Sequence, residues 1–252
     1  MKIVFLGTGA SEPIPLPGCR CRACEEARAY GYRRTHTSIA IEFGDTLVVV
    51  DAGSQNLVPY LEHNIDKFKR IAILLTHWHA DHYLELYRIR WIPREIEVYA
   101  PREGVDEELL TNPQNLRISF TDEDRRLDIE DITIYSVKLI HSVKTLGYVV
   151  KHSDRRAAFL FDTKGLPIET MERLKEMKLD LLVIDATYPP NSATDSHNGV
   201  DDAIDIALSL KPRTAILTHI SHRNLPHTEL SRYVDKRCSI CIVAMDGLSI
   251  EF

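Results

Sequence analysis

The chain has 252 residues, of which 44% are hydrophobic and 27% charged, a composition ordinary for a globular protein of one large or two small domains. Its formal net charge of −6 argues against a general nucleic-acid-binding protein, although a local basic patch would be compatible with it. Met1-Lys2 leads into a short apolar run without the features of a signal peptide, and no apolar stretch is long enough to span a membrane. We therefore expect a cytoplasmic protein.

Short apolar runs bounded by turn residues predict strands along the whole chain. The predicted strands are Lys2–Leu6, Ser38–Phe43, Thr46–Val50, Ile71–Leu75, Ile96–Tyr99, Ile132–Leu139, Gly147–Val150, Ala157–Phe161, Leu181–Ile184, Thr214–Leu217, Ile240–Ala244 and Leu248–Glu251. Gly44-Asp45 and Asp246-Gly247 each separate two of these runs and are typical of hairpin turns. Helical patterns lie at Val58–His63, Asp81–Arg88, Glu103–Leu110, Thr170–Met177, Val200–Leu208 and, more weakly, Glu229–Tyr233. This order predicts two sheets covered by helices, in a single domain over residues 1–252.

The most informative segment is His77-Trp78-His79-Ala80-Asp81-His82, which follows the predicted strand Ile71–Leu75. In an extended chain alternate residues face the same side, so His77 and His79 point in one direction. A helix that begins near Asp81 would turn Asp81 and His82 in a second direction. Two metal ions could therefore be served side by side, and imidazole with carboxylate suits zinc, manganese or iron.

Four further polar residues each come directly after an apolar run. They are Asp51, His141, Asp162 and His219. Loops at strand ends on a rigid scaffold are common places for functional sites. We interpret these residues together with the histidine cluster as one metal site.

The five cysteines are unevenly placed, with Cys19, Cys21 and Cys24 close together in a loop rich in proline and glycine. An odd number of cysteines in a cytosolic chain favours metal binding or free thiols over disulfides. The Cys-x-Cys-x-x-Cys spacing is typical of ligands, but three thiolates leave a tetrahedral zinc one ligand short. Cys238 or Cys241 could supply the fourth.

These motifs resemble those of the metallo-β-lactamase superfamily of hydrolases, and most closely its PhnP family of phosphoribosyl cyclic phosphodiesterases. The resemblance rests on Gly7-Thr8-Gly9, the cysteine motif of residues 18–24, Arg33-Arg34, Leu75-Thr76-His77, Gly147-Tyr148, Asp162-Thr163, the segment Leu217-Thr218-His219-Ile220-Ser221-His222 and Asp246-Gly247. It implies an α+β fold of the αββα sandwich type, with two mixed sheets flanked by helices and the metal ligands at one edge between them.

The resemblance also implies two catalytic ions, manganese or zinc, and one structural zinc. His77, His79, His141 and Asp162 would bind one catalytic ion, and Asp81, His82, Asp162 and His219 the other. His222 would complete a Cys₃His site with Cys19, Cys21 and Cys24 in a zinc-knuckle loop at about residues 12–30, and we prefer it to Cys238 or Cys241. Asp51 would orient a metal-binding histidine through its free ring nitrogen. Asp246 is better explained as a hairpin turn residue.

The implied activity is hydrolysis of a small cyclic phosphate, such as a phosphoribosyl 1,2-cyclic phosphate, by water activated between the two ions. His197, in the polar loop Asn191–Asn198, is the expected general acid, and Asp81 is expected to serve catalysis as well as metal binding. The partner would be a small phosphorylated sugar or nucleotide rather than a nucleic acid or a membrane, and a homodimer is expected. Candidates for phosphate recognition are Arg20, Arg22, Arg33, Arg34, Lys144 and, as a pocket residue, His36.

Three alternatives remain open on the same fold. A tRNA 3′-processing nuclease would use the same ligands, but we find no Gly/Pro-rich basic insertion that could form its tRNA-binding arm. A phosphatase, lactonase or thioester hydrolase is a second alternative. A non-catalytic relative resembling the PQQ-synthesis protein is the third, and the complete ligand set argues against it.

Overall fold

Two seven-stranded mixed sheets are present in the computed structural model, which describes residues 1–251. The first six strands belong to one sheet: β1 Lys2–Gly7, β2 Ser38–Phe43, β3 Thr46–Val50, β4 Arg70–Leu74, β5 Ile96–Pro101 and β6 Leu116–Thr121. The next seven form the other: β7 Arg126–Ile129, β8 Ile132–Lys138, β9 Leu146–His152, β10 Arg155–Leu160, β11 Leu181–Asp185, β12 Thr214–Thr218 and β13 Cys241–Val243. The chain then returns to the first sheet, where β14 Ser249–Glu251 pairs with β1.

Helices cover the outer faces of the two sheets. They are α1 Arg22–Tyr30, α2 Leu57–Asn64, α3 Ala80–Tyr83, α4 Leu86–Ile89, α5 Glu107–Thr111, α6 Ile168–Met177, α7 Val200–Leu210 and α8 His227–Asp235, with a 3₁₀ turn at Ile65–Lys67. No helix among the described residues combines the length and the hydropathy needed to cross a membrane.

The layer order follows from the alternation of side chains along the buried strands. In β3, Val48 and Val50 pack between the sheets, whereas Leu47 and Val49 pack on the opposite side, in the core shared with the helices. The same alternation in β11 places Val183 between the sheets. The two sheets therefore form the inner layers of an αββα sandwich, as predicted.

Parallel strands bring the functional loops to one edge of the sandwich. Strands β3 to β6 run parallel in the first sheet, and β10 to β13 run parallel in the second. The two sheets are joined at this edge, where the Tyr148 hydroxyl donates to the Leu75 carbonyl at 2.7 Å and the Leu146 N–H donates to the Thr76 carbonyl at 2.9 Å. The residues that follow β4 and those that follow β10 to β12 consequently meet between the sheets.

The predicted hairpin at Asp246-Gly247 is wrong, because β13 lies in the second sheet and β14 in the first. This segment instead carries the chain across the sandwich. The Asp246 carboxylate accepts hydrogen bonds from the backbone N–H and the hydroxyl of both Thr8 and Thr35, at 2.7–2.9 Å. Asp246 thus fixes the loop after β1 to the segment that leads into β2.

Other differences between the predicted and the observed helices and strands occur where polar residues interrupt the apolar patterns. Strands β6 and β7 and helix α1 were not predicted, although they lie in the described structure. The single helix expected at Asp81–Arg88 is divided into α3 and α4. The helix expected from Glu103 begins only at Glu107, because the Asp106 side chain accepts from the Glu108 and Leu109 N–H groups and caps the helix there.

Cys238 and Cys241 form a disulfide, in contrast to the expectation of metal-bound or free thiols. Neither therefore offers a thiolate for the cysteine motif near the N-terminus. The pair joins the segment after α8 to the start of β13, which is shorter than the predicted strand Ile240–Ala244.

We predict that Asp246→Ala lowers the free energy of unfolding by about 2 kcal/mol, because it leaves two backbone N–H groups without an acceptor. It also removes a negative charge near the buried Arg34 guanidinium, whose pKa burial lowers to about 10. Urea denaturation would measure the change. Asp235→Ala, at an exposed position at the end of α8, is the matched control and should have little effect. Equal stability losses in the two variants would contradict this role.

Candidate metal centre

The seven predicted ligands come together at the shared edge of the two sheets. His77 and His79 lie on the loop after β4, while Asp81 and His82 lie in the first turn of α3. The remaining three follow strands of the second sheet: His141 after β8, Asp162 after β10 and His219 directly after β12. All seven side chains belong to groups whose ligand atoms lie within 4.8 Å of one another.

Three imidazoles form the first group with Asp162. His79 Nδ1 lies 2.9 Å from His77 Nε2 and 3.2 Å from His141 Nε2. Asp162 Oδ2 lies 3.7 Å from His77 Nε2 and 3.8 Å from His141 Nε2. Three ring nitrogens and a carboxylate oxygen thus converge, which is a ligand set that a divalent cation could use.

Two imidazoles and two carboxylates form the second group. His82 Nε2 lies 3.2 Å from Asp162 Oδ2 and 3.4 Å from Asp81 Oδ2. His219 Nε2 lies 3.2 Å from Asp162 Oδ1 and 3.6 Å from Asp81 Oδ2. Asp162 is shared by the two groups and therefore lies at their centre.

The donor atoms of this cluster fit a metal. His82 Nε2, His219 Nε2 and Asp162 Oδ1 are buried, yet they have no aligned hydrogen-bond partner among the residues that the structure describes. Buried polar atoms are rarely left in this state, because each costs free energy. A divalent cation accepts all three atoms as ligands, and the imidazole–carboxylate set is one that zinc and manganese use. These His/Asp clusters are thus able to bind metal.

A second layer of contacts turns the histidines towards the centre. The Asp51 carboxylate lies 2.6 Å from His82 Nδ1 and accepts a hydrogen bond from it, as the sequence predicted. The Ser196 carbonyl accepts from His141 Nδ1 at 2.8 Å. Since these oxygens can only accept, Nδ1 carries the hydrogen and Nε2 keeps its lone pair for the site. The Thr187 hydroxyl makes a comparable contact with His219 Nδ1 at 2.9 Å.

The local backbone is shaped to place these residues. Asp51 and His219 adopt positive φ angles of 59° and 56° where their strands end, an uncommon conformation for residues other than glycine. A Cβ atom at Gly53 would lie 1.7 Å from the Asp81 carbonyl oxygen, so only glycine allows this close approach. The loop after β3 is therefore packed directly against the helix that carries Asp81 and His82.

Burial sets the charge state of the imidazoles in the first group. It lowers the pKa of His77, His79 and His141, and neutral imidazole is the form that binds metal. For Asp162, burial would raise the pKa, but the neighbouring imidazoles of His219 and His82 outweigh it and hold that pKa well below its usual value. The centre thus keeps an ionised carboxylate.

Asp185 is a further site residue that sequence reasoning missed. It is fully buried at the end of β11, and its Oδ2 lies 3.3 Å from His197 Nδ1. Asn198 holds the other oxygen with its side-chain amide at 2.9 Å. His197 itself stacks on the His219 ring with 5.2 Å between centroids, so the Asn191–Asn198 loop reaches the metal-ligand cluster. The available signal was the position of Asp185 at the end of an apolar run, like that of Asp162.

The cysteine motif forms a separate cluster. Cys19, Cys21, Cys24 and His222 have ligand atoms within 4.8 Å of one another. His222 Nδ1 lies 3.4 Å from Cys19 Sγ and 3.6 Å from Cys21 Sγ. The donor set and its convergence fit a tetrahedral metal of the structural type. Part of the motif is helical, because α1 begins at Arg22.

The basic residues considered for phosphate recognition are not gathered at one site: one is buried, two form ion pairs, and the others line two separate clefts. Arg34 is buried and bonds the Thr8 hydroxyl and the Ala244 carbonyl, so it has a structural role. Arg22 pairs with Glu229, and Lys144 pairs with Asp122 and Glu123. Arg20 lies beside the cysteine cluster. Arg33 and His36 line a cleft next to Gly53 and the end of α3.

Comparison with known proteins assigns the family. The family model described as the beta-lactamase superfamily domain matches residues 46–220. The chain belongs to the metallo-β-lactamase superfamily. Its fold is accordingly the metallo-β-lactamase fold, and the protein is a member of a superfamily of metal-dependent hydrolases.

Within the superfamily, the crystal structure of a diphosphatase from the PhnP family is 27% identical, with a TM-score of 0.83, and the match covers 100% of this chain and 97% of that one. An octanoyltransferase of Porphyromonas gingivalis is 29% identical over 91% of this chain, but the chain spans only 48% of that protein. Archaeal ribonucleases Z also match. That of Pyrococcus horikoshii is 25% identical over 318 aligned positions, which cover 100% of this chain and 96% of that protein.

We predict that Asp162→Ala removes more metal from this superfamily member than any single histidine substitution, because the Asp162 carboxylate lies within 3.2–3.8 Å of imidazoles of both ligand groups. Metal content of the purified variants, measured by elemental analysis after equilibration with zinc or manganese, tests this. His79→Ala is the comparison, since His79 belongs to one group only. Full retention of any centre metal at wild-type affinity in Asp162→Ala would contradict the shared role.

Substitution of Cys21 by serine should lower both zinc content and melting temperature while the centre containing Asp162 still binds metal. Loss of a structural zinc removes binding energy that is coupled to folding. Cys238→Ser is the control for zinc content, because it removes a cysteine of the disulfide and leaves the cluster of Cys19, Cys21, Cys24 and His222 intact. Unchanged zinc content and melting temperature in Cys21→Ser would argue against a Cys₃His zinc site.

Proposed function

We propose that this protein is a dinuclear metal-dependent phosphodiesterase that opens a small cyclic phosphate, such as a phosphoribosyl 1,2-cyclic phosphate. The observation that carries the proposal is the pair formed by the buried Asp185 and the half-buried His197 beside the metal-ligand cluster. An alkoxide leaving group, unlike a more acidic one, needs a proton as it departs. The similarity to the PhnP-family diphosphatase over the full length of both chains supports the same class of chemistry.

Two divalent ions, manganese or zinc, would supply Lewis acidity towards the phosphate and make water more acidic. His77, His79, His141 and Asp162 would hold one of them. Asp81, His82, Asp162 and His219 would hold the other. Asp162 would serve both, because its Oδ2 lies near imidazoles of both groups and its Oδ1 lies near His219.

His197 would hold the proton that the leaving oxygen receives. Its Nδ1 faces the Asp185 carboxylate, which can only accept, so Nδ1 keeps a hydrogen and Nε2 carries the proton to be transferred. The imidazole side chain is 16% exposed, whereas Asp185 is fully buried. Asp185 and Asn198 would therefore orient the ring while its outer nitrogen meets the substrate.

Ribonuclease Z activity is the second candidate, because several archaeal ribonucleases Z match most of this chain. The alignment with the Pyrococcus horikoshii enzyme extends over 318 positions, whereas this chain has 252 residues, so that enzyme contains segments without a counterpart here. The net charge of −6 also disfavours a polyanionic substrate. We do not transfer octanoyltransferase activity, since about half of that protein lies outside the match.

A hydrolysis screen of the purified protein with manganese or zinc tests the proposed function. The substrates are ribose 1,2-cyclic phosphates, 2′,3′-cyclic nucleotides, bis(p-nitrophenyl) phosphate, an alkyl diphosphate, phosphomonoesters, lactones and a tRNA precursor. We expect the highest kcat/KM on a ribose cyclic phosphate. Preference for the diphosphate, the lactones or the tRNA precursor would replace our proposal with that activity.

We predict that His197→Ala slows turnover of cyclic sugar phosphates by roughly 10²–10⁴-fold, the usual contribution of a positioned general acid. The loss should be far smaller for bis(p-nitrophenyl) phosphate, because p-nitrophenolate leaves without a proton. Steady-state kinetics on the two substrates, with metal content measured in parallel, would show the difference.

Asp185→Asn should show the same dependence on the leaving group with a smaller loss, since it weakens the orientation of His197 rather than removing the acid. His63→Ala, on the exposed end of α2, is the histidine control. Equal losses on both substrates, or loss of metal, would assign His197 to substrate positioning or to metal binding instead.

A further inference from the structure

A cleft of about 390 Å³ lies on the second sheet, on the face that points away from the first sheet. Its floor is formed by two pairs of residues in register on β8, β9 and β10: Tyr135 with Val149, and Lys151 with Arg156. Residues 176–178, at the end of α6, line its side. Asp162 follows Arg156 by six residues, or about 20 Å of extended chain at roughly 3.3 Å per residue. The cleft is therefore at the opposite end of β10 from the metal-ligand cluster.

Two positive charges face each other across β9 and β10 in this cleft. Lys151 is the register partner of Arg156, and like charges directly opposite each other destabilise a pair of strands. Both side chains are half-buried, and neither forms an ion pair within the described part of the chain. Lys178 at the rim is a third cation without an ion pair among these residues. Glu176, an acidic residue that also lines the cleft, lies too far from all three to pair with them.

The carboxylate next to this pair of cations is already neutralised by other residues. The Arg156 backbone N–H donates to Asp180 Oδ2 at 3.0 Å. The other oxygen of Asp180 pairs with the guanidinium groups of Arg155 at 3.0 Å and Arg213 at 3.2 Å. The fold thus leaves the Arg156 guanidinium without a counter-ion although a carboxylate is adjacent. A concave site lined by uncompensated charges of one sign attracts a ligand of the opposite sign.

The lining of the cleft indicates the class of anion. A single carboxylate would neutralise only one of the three cations, whereas a diphosphate group carries several negative charges close together. Arginine suits phosphate oxygens in particular, because its planar guanidinium can donate two parallel hydrogen bonds. Tyr135, Val149 and Met177 add apolar surface beside the cations. The volume falls within the usual range for small-molecule sites, about 300–1,000 Å³, so an organic group could be attached to the diphosphate.

We propose that this cleft binds a diphosphate group, either free or as part of a nucleotide, at a site separate from the metal centre. Lys151, Arg156 and Lys178 would pair with the phosphate oxygens, and the organic part of a nucleotide would pack on Tyr135. The bound anion would offset the repulsion across β9 and β10, so binding would stabilise the folded protein. The site is independent of the proposed phosphodiesterase reaction.

Titration calorimetry of the metal-loaded protein with methylenediphosphonate, a diphosphate analogue that resists hydrolysis, tests the site. Because the metal centre could bind the same probe, the measured quantity is the difference between the wild-type protein and variants with the same metal content. Lys151→Gln and Arg156→Gln should each weaken binding at the cleft about tenfold, the effect of losing one pair between charged groups. Lys236→Gln and Arg232→Gln, at exposed positions outside the cleft, are the matched controls and should bind the probe like the wild-type protein.

Stability separates a ligand-binding role from a structural one. Lys151→Glu places opposite charges across the strands, so it should raise the melting temperature of the ligand-free protein by about 2 °C while binding at the cleft is lost. A lower melting temperature in this variant would mean that Lys151 stabilises the fold, and would contradict the argument from opposed charges. Wild-type affinity for methylenediphosphonate in both glutamine variants would show that the cleft is not a diphosphate site.

A comparison of probes identifies the source of the diphosphate. Tighter binding of adenosine 5′-methylenediphosphonate than of methylenediphosphonate, with the advantage lost in Tyr135→Ala, would identify a nucleotide as the ligand. Equal affinities would identify the free diphosphate. Binding of a single-stranded RNA at the cleft without binding of either diphosphonate would replace the proposal with a nucleic-acid surface. These results do not depend on whether the protein hydrolyses cyclic phosphates.

Discussion

The burial of carboxylates beside imidazoles is the constraint on which the rest of the structure depends. Asp51, Asp162 and Asp185 are almost completely inaccessible to water, and burial alone would favour their neutral forms. Neighbouring groups act in the opposite direction: histidines, and for Asp51 also the N–H and hydroxyl of Thr76, lower the pKa of these carboxyl groups. For Asp162 the imidazoles outweigh burial and hold the pKa well below its usual value, whereas for Asp51 and Asp185 burial prevails. Such compensation requires ligands from several strands to meet within a few ångströms, and the common edge of two face-to-face sheets provides that meeting place.

The parts of the fold that the sequence predicted well are those that are buried on both sides. The central strands of each sheet form continuous apolar runs, because each strand lies between the opposite sheet and a layer of helices. The ligands stand out as polar residues directly after these runs. Strands β6 and β7 lie at sheet edges, where Arg117 and Asp128 alternate with apolar residues and obscure the pattern. Helix α1 was missed because its first turn belongs to a cysteine motif in a proline-rich loop.

The remaining failures concern contacts between residues far apart in sequence. Asp246 was interpreted locally, as a turn residue, but its four hydrogen bonds reach Thr8 and Thr35. Asp185 gains its significance only from His197, which a loop brings back to the end of β11. The pairing of Cys238 with Cys241 likewise depends on the path of the chain after α8. Periodicity and composition carry no information on such pairs, whereas strand ends do indicate where ligands collect.

The contact of Asp246 with Thr8 and Thr35 has a consequence for the newly made chain. These partners are separated by 238 and 211 residues, so the hydrogen bonds cannot form until nearly all 252 residues have been synthesised. Thr8 in turn accepts a hydrogen bond from the Ile220 N–H, between His219 and His222. At a synthesis rate of about 5–20 residues per second, both clusters of ligands therefore remain apart for tens of seconds on the ribosome. A metal ion that needs the full set of ligands in either cluster would therefore bind only after His219 and His222 have been synthesised.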